Sequence, residues 1–394
     1  MSRTYLAAIA DRARDDSLHR LIARRLVHDG GCWKIEHRGD ARRSLVASRH
    51  IPAGTRVFTE RPIVVAPGGA VSVAKAALKL DRSGDDFAAV CQLQSRADRH
   101  TDGWGPWAAG FASVNVHGAG GTLLDRNAGR RTVLGLLGSM MQHECCPSAI
   151  TNFGSAEEGT LVSLHTVRDL CPGELISISY CASYMTTARR REQLRKQYGF
   201  DCVCRRCTVL PEHVRAFRCP ACGEGPCSPA SSAPDGRTLV CDACEAEMLL
   251  DDEAWAELEA AENSDVVSAE MLEVLHPYHH KPTLMYQANL MKLPPSSRAS
   301  FLRQHAAARA RVYASFCPDD LAHPLVANDI EGAALAHLSG GEFDEAAATF
   351  VEAAELFEAF YGVGSHDALR CRKATGAATL DEYTRIGGEV HAHH

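Results

Sequence analysis

The chain has 394 residues, 45% of them hydrophobic and 23% charged, which is the balance of a globular protein rather than a fibrous or disordered one. No run of 18 apolar residues occurs, so no transmembrane helix is expected, and acidic residues near the start leave no signal-peptide core. The net charge of −7 divides unevenly: residues 1–210 carry 29 Lys and Arg against 20 Asp and Glu, whereas residues 211–394 carry 13 against 29. That asymmetry implies domains of different character, with a front half suited to an anionic ligand or partner.

In chain order, "MSRTYLAAIADRARDDSLHRLIARRL" predicts an amphipathic helix within residues 1–32. Between 33 and 65, "SLVASRHIPAGTRVFTERPIVVAP" alternates apolar and polar residues around a Pro52–Gly54 turn and predicts strands. Residues 66–110 are Ala-rich at helical spacing. "TLVSLHTV" and "GELISISY" predict two further strands. "TTARRREQLRKQYGF" predicts a helix capped by Thr186 or Thr187. The stretch 226–238, "PCSPASSAPDGRT", has loop chemistry. From 251 onward the chain is helical, Ala-rich and acidic. Leu335, Leu338, Phe343, Ala346, Ala347, Phe350, Ala354 and Phe357 recur at helical spacing around "SGG", as in a packed helix pair of tetratricopeptide (TPR) type. Residues 386–394, which end in "HAHH", are expected to be a disordered tail.

The 16 cysteines carry the chemistry, eight of them between 202 and 244. Without a secretory leader a disulfide framework is not expected, and such density points to zinc. Cys219, Cys222, Cys241 and Cys244 form C-x2-C-x18-C-x2-C, the spacing of a zinc ribbon. With few basic residues between its knuckles the ribbon is expected to staple the fold, not to bind nucleic acid. Cys202, Cys204 and Cys207 make three thiols, one short of a closed tetrahedral site. Either Cys145 or Cys146 of "MQHECCPS" can supply the fourth, or the site stays open. Cys227 is a spare thiol within the ribbon. Cys32, Cys91, Cys171, Cys181, Cys317 and Cys371 suit ordinary small apolar positions.

"GELISISYCASYMTTARRREQLRKQYGFDCVCRRC" resembles the end of a SET domain and its post-SET cysteines, as in the SET- and MYND-domain (SMYD) protein lysine methyltransferases. Gln142, His143, Glu144, Cys145, Cys146, Pro147 and Ser148 occupy the places of that family's N-H-S-C-x-P-N signature, and "RSLVASRHIPAGTRVFTERPIV" resembles its opening hairpin. The resemblance implies an α+β chain. Its parts are a β-rich SET domain over 33–210 with a helical insert (66–110) and a post-SET zinc segment (201–210), a zinc ribbon over 211–250, and an all-helical TPR-like domain over 251–385. It also implies that Cys145 joins Cys202, Cys204 and Cys207 on one zinc, giving two structural zinc ions in all.

The chemistry implied is transfer of a methyl group from S-adenosylmethionine to a lysine of a histone or other protein. By position Tyr180 matches the catalytic tyrosine, and Tyr198 and Phe200 match the aromatic walls of the lysine channel. Arg42, Arg43, Asn115, Ser139, Met141, Gln142, His143, Tyr180 and Phe200 fall at cofactor-contacting places. A monomer in the nucleus or cytoplasm, with no membrane partner, is the expected setting. The chain departs from the family at Gln142, Glu144 and Ser148, and residues 66–110 lack the Cys and His pairs of a MYND finger. These departures leave an alternative: a catalytically weak or inactive SET-like scaffold that binds partners through its helical domain.

Overall fold

A computed structural model of the chain describes residues 17–38, 42–93, 103–119, 131–156, 159–231, 237–263, 269–317 and 321–392. The predicted N-terminal helix is seen as α1 (17–23); residues 1–16 lie outside the described residues. The helix does not continue to residue 32. It gives way to β1 (Leu26–Asp29), because this segment pairs with a later strand and joins the sheet instead.

Next come β2 (Trp33–Arg38), β3 (Arg42–Ala47), β4 (Arg56–Glu60) and β5 (Val64–Pro67). The two strands β2 and β3 form an antiparallel hairpin with Arg38 opposite Arg42. The Ala-rich insert folds as α2 (Ala70–Ala77), α3 (Asp85–Val90) and α4 (Trp104–Asn115). Then follow β6 (Val116–Ala119), β7 (Arg131–Leu134), β8 (Gln142–His143), β9 (Ala149–Ala156), β10 (Gly159–Thr166) and β11 (Ser177–Ile178). One antiparallel sheet runs β1-β4-β10-β9 and another β5-β7-β6, while the short β11 lies parallel to β8. Leu45, Ile51, Phe58, Phe111, Leu134 and Leu136, all fully buried, weld hairpin, sheets and insert into one core.

The predicted arginine-rich helix is α5 (Thr187–Tyr198), and Thr186 is its cap, accepting the Arg189 amide at 3.4 Å. It stops at Gly199, whose φ of 78° lets its N–H turn back to the carbonyls of Leu194 and Arg195. A short α6 (Arg205–Thr208) precedes a four-stranded meander of β12 (Phe217–Arg218), β13 (Pro226–Pro229), β14 (Thr238–Cys241) and β15 (Glu247–Leu249). Part of the stretch 226–238, expected as loop, is therefore strand. Its prolines sit at the two ends of β13, while Cys227 and Ser228 between them pair with Cys241 and Val240.

The rest is helical: α7 (Asp252–Asn263), α8 (Ala269–Val274), α9 (His280–Asn289), α10 (Pro295–Ala314), α11 (Pro324–Ser339), α12 (Phe343–Tyr361), α13 (His366–Ala374) and α14 (Leu380–Ala392). Ala346, Phe350, Ala354 and Phe357 face the core of α12 as their spacing predicts, whereas Phe343 is exposed. The expected tail 386–394 is helix as far as Ala392, because Ile386 and Val390, one turn apart, pack into the same core as Cys371. Residues 393–394 lie outside the described residues. Among the described residues no helix is long and apolar enough to cross a membrane.

A buried charge holds this helical core. Glu331 is fully buried and receives two bonds of 2.8 Å from Arg370 and one of 2.6 Å from the Tyr383 hydroxyl. Removing one member of such a pair strands the other in low dielectric. Glu331→Ala is expected to lower stability by about 3–5 kcal/mol, read as a fall in the urea midpoint; an unchanged midpoint would contradict this.

Candidate active site and thiol clusters

Folding brings Cys145, Cys202, Cys204 and Cys207 together, with their sulfurs all within 4.8 Å of one another. Cys145 Sγ lies 3.5 Å from Cys207 Sγ and 3.9 Å from Cys202 Sγ. Tetrahedral zinc with Zn–S bonds near 2.3 Å needs sulfurs about 3.8 Å apart, so the group fits such an ion. Cys146, the other candidate, is not a member. Four thiolates around a divalent ion leave a net charge of about −2, and two buried guanidiniums stand beside them. Arg190 reaches 3.7 Å from Cys207 Sγ and is fixed by the Met185 carbonyl and Thr187 hydroxyl. Arg206 donates to the carbonyls of Cys145 and Ser183.

The ribbon cysteines Cys219, Cys222, Cys241 and Cys244 form a second such group. Cys219 and Cys244 are 3.7 Å apart, Cys222 and Cys241 3.9 Å. The amides of Cys222, Gly225 and Ala243 point at these sulfurs from 3.4–3.5 Å, as thiolates require. A Cβ on Gly225 would lie 2.6 Å from Cys241 Sγ, so the knuckle needs glycine there. Cys227 is buried beside the group and outside it. A third group, Glu262, His279 and His280, was not foreseen in the sequence. Arg215 already binds Glu262 at 2.7 Å. Burial raises that carboxyl's pKa, but the two histidines and Arg215 outweigh it and hold it well below the usual range.

Around the first cluster stands an aromatic group. The Tyr180 amide donates to His143 Nδ1 at 2.9 Å, so the ring proton belongs on Nε2, which faces Cys145 Sγ at 3.1 Å. Burial pushes the His143 pKa down to about 4, leaving a neutral ring at pH 7. The ring of Tyr180 lies 5.2 Å from His143 and 4.7 Å from Tyr198, and Phe200 lies 5.9 Å from His143. The Tyr180 hydroxyl donates to the Met141 carbonyl at 2.5 Å, and burial, with Tyr198 beside it, raises its pKa.

Two cavities meet this group. The first, about 310 Å³, is lined by Asn115, Ser139, Ile178, Tyr180, Tyr198 and Tyr313 among others. The second, about 480 Å³, is lined by Ser44, Gln142, His143, Glu144, Phe200 and Asp201 among others. The residues expected around one cofactor thus divide between the two. Asn115 sits at the end of α4 with its amide on the Phe111 carbonyl, and Ser139 is turned to the Gly135 carbonyl. Met141 buries its side chain and offers only its carbonyl. Gln142 Nε2 donates to the Arg43 carbonyl at 3.4 Å, while the Arg43 guanidinium is held by Gln92. Arg42 begins β3, and its side chain lies outside the described residues.

The sequence reading missed Glu60. Its buried carboxylate accepts the amides of Leu136, Leu137 and Gly138 at 2.9–3.0 Å and so folds the loop that leads into Ser139–His143. A Cβ on Gly135 would come within 2.3 Å of Glu60 Oε1. Burial raises the pKa against the pull of the three amides. The signal was an acid closing an otherwise buried strand, β4.

Residues 42–181 match the SET domain family. The chain is 27% identical over 172 residues to the histone-lysine N-methyltransferase set5 of Schizosaccharomyces pombe, covering 43% of this chain and 49% of that protein. It is 35% identical over 106 residues to the N-lysine methyltransferase SMYD2 of Gallus gallus, covering 25% and 22%. It is 41% identical over 69 residues to the histone-lysine N-methyltransferase SMYD3 of Homo sapiens, covering 18% and 15%. The chain thus spans half or less of the length of these curated relatives. It carries a SET domain similar to those of SMYD-type lysine methyltransferases. The matched region ends at Cys181, short of the post-SET cysteines and the ribbon.

Replacing Glu60 by Gln turns one acceptor into a donor facing amide donors. Glu60→Gln is expected to cost about 1–3 kcal/mol. A wild-type denaturation midpoint would contradict the assigned role.

Proposed function

We propose that the chain is a protein lysine N-methyltransferase that uses S-adenosylmethionine, with Tyr180 as its catalytic residue. The observation that carries this reading is the Tyr180 hydroxyl: partly buried, kept as a neutral phenol, its proton committed to the Met141 carbonyl. Its oxygen lone pairs therefore remain to accept from an amine or to face a polarised methyl. When bound, S-adenosylmethionine supplies an electrophilic methyl group.

The second cavity fits that cofactor by size and by donor set, with Gln142 as carboxamide, His143 and Phe200 as rings and Ser44 as hydroxyl. Arg43 would meet a carboxylate there only by releasing Gln92. The first cavity fits a lysine side chain, with Tyr180 and Tyr198 as its aromatic walls. Such walls exclude water, which favours the neutral amine that displacement requires. His143 holds the Tyr180 backbone in place through its Nδ1. We assign two structural zinc ions to the two four-cysteine groups, the first closing the post-SET segment over the second cavity. The acidic rear half suits a basic segment of a histone or other nuclear or cytoplasmic protein as substrate.

A second reading, a SET-like scaffold, is favoured by one observation: Gln142 spends its amide on the Arg43 carbonyl. Calorimetry separates the two readings. The wild type is expected to bind S-adenosylmethionine and to label lysines in cell extract. Tyr180→Phe is expected to keep binding within a few-fold and lose label transfer by about 100-fold or more. Undetectable cofactor binding would favour the scaffold, and equal labelling by both proteins would remove Tyr180 from its role.

A further inference from the structure

The face of the β1-β4-β10-β9 sheet beneath the α12–α13 corner is polar, although a covered sheet face is ordinarily apolar. Thr59 pairs with Ser163 and Ser163 with Asn152, so the three form a row across β4, β10 and β9. His165 opposes Arg56 in the next row. The turn between α12 and α13 arches over these rows. Gly54, in the turn before β4, approaches it closely: a Cβ there would sit 3.0 Å from the Phe360 carbonyl, and φ is +76°. Between sheet and turn lies a cavity of about 480 Å³, which shares no lining residue with the two at Tyr180.

Asn152 and Ser163 at this cavity are hydrogen-bonded, but other polar side chains there are not. Thr59 is 6% exposed and His165 8%. Thr59 Oγ1, His165 Nδ1 and Ser365 Oγ nonetheless have no hydrogen-bond partner among the described residues. Thr59 and Ser365 come from regions 300 residues apart in the chain, so one local distortion does not account for them. Ser365 is also the N-cap of the nine-residue α13, yet its side chain makes no capping bond. The N-terminal end of that helix therefore meets the cavity without a cap from Ser365, and there the helix dipole favours negative charge. Arg56 lines the same cavity and forms no ion pair among the described residues. The nearby carboxylate, Asp367, is committed to Asn152 at 2.9 Å and Arg370 at 2.8 Å. Tyr361 and Leu161 add apolar wall.

We propose that this cavity binds a small organic anion. Its phosphate or carboxylate head would sit against Arg56, the three unpartnered side chains and the start of α13, and its apolar body against Tyr361 and Leu161. Bound there, the ligand bridges the SET sheet and the helical C-terminal region. The volume suits a head with a ring-sized body and exceeds the needs of inorganic phosphate alone.

The proposal concerns binding at a separate site and stands apart from methyl transfer. Full-length protein in low-salt, phosphate-free buffer is titrated calorimetrically with phenyl phosphate, benzoate, inorganic phosphate and phenol. Phenyl phosphate or benzoate is expected to bind at least tenfold tighter than inorganic phosphate, and phenol not to bind. The stronger of the two names the head group. Arg56 is exposed, so Arg56→Gln should fold normally; it and Ser365→Ala are each expected to weaken that binding at least tenfold. Binding by phenol equal to that of the anions, binding unchanged in both variants, or no anion binding, leaving a cavity that holds only water, would each overturn the proposal.

Discussion

The architecture of the site depends on one contact between distant parts of the chain. Cys145 meets Cys202 and Cys207 across 57 and 62 positions of sequence, and Arg191 on α5 steadies the same segment through the carbonyls of Cys202 and Cys207. Gly199 turns the end of α5 back, and next to the thiols Phe200 lies beside His143, as Tyr198 does beside Tyr180. His143 belongs to both units, touching Cys145 with one ring nitrogen and the Tyr180 backbone with the other. The aromatic group and the thiol cluster are therefore one device. A change in one reaches the other through that imidazole and through the direct packing of Tyr180, Tyr198 and Phe200 on the cysteines.

Buried charge surrounds this device and does different work at each place. Arg190 and Arg206 offset the negative cluster and tie it to the 183–187 turn and to Cys145. Glu60 gathers three amides to shape the loop before Ser139. Arg311 on α10 reaches the ribbon through Ser228 Oγ at 2.8 Å and the His213 carbonyl at 2.8 Å, fastening the helical region to the four-cysteine module. None of these charges is exposed enough to be a solvated surface group, and each meets hydrogen-bond partners, although Arg190 Nε has none among the described residues.

Legibility from sequence followed the physics of each signal. The ribbon was plain because four thiols at fixed spacing define their own site. The α5 helix was plain because its cap and its Gly199 stop are local chemistry. Whether Cys145 or Cys146 completes the first cluster was not decided by spacing, since adjacent residues share one position to within a residue; the family resemblance named Cys145, and the fold places its sulfur in the group. Strand β13 was hidden by its prolines, which sit at its ends. The helix to Ala392 was hidden because Ile386 and Val390 read as sparse until Cys371 is placed opposite them. Glu60 was invisible because its three partners are backbone amides, which carry no side-chain signature. The division of Asn115 and Ser139 from Gln142, His143 and Phe200 likewise came from topology, with α4 and β8 delivering residues to different cavities.

The central claim is that metal held by the four thiols keeps the cofactor cavity formed. Its most direct test is the dissociation constant of S-adenosylmethionine measured on the zinc-loaded protein, after extraction of the metal, and after zinc is returned. The account predicts that binding is lost on extraction and recovered with zinc, in step with the near-ultraviolet signal of the tyrosines. Affinity that is the same with and without metal would contradict it.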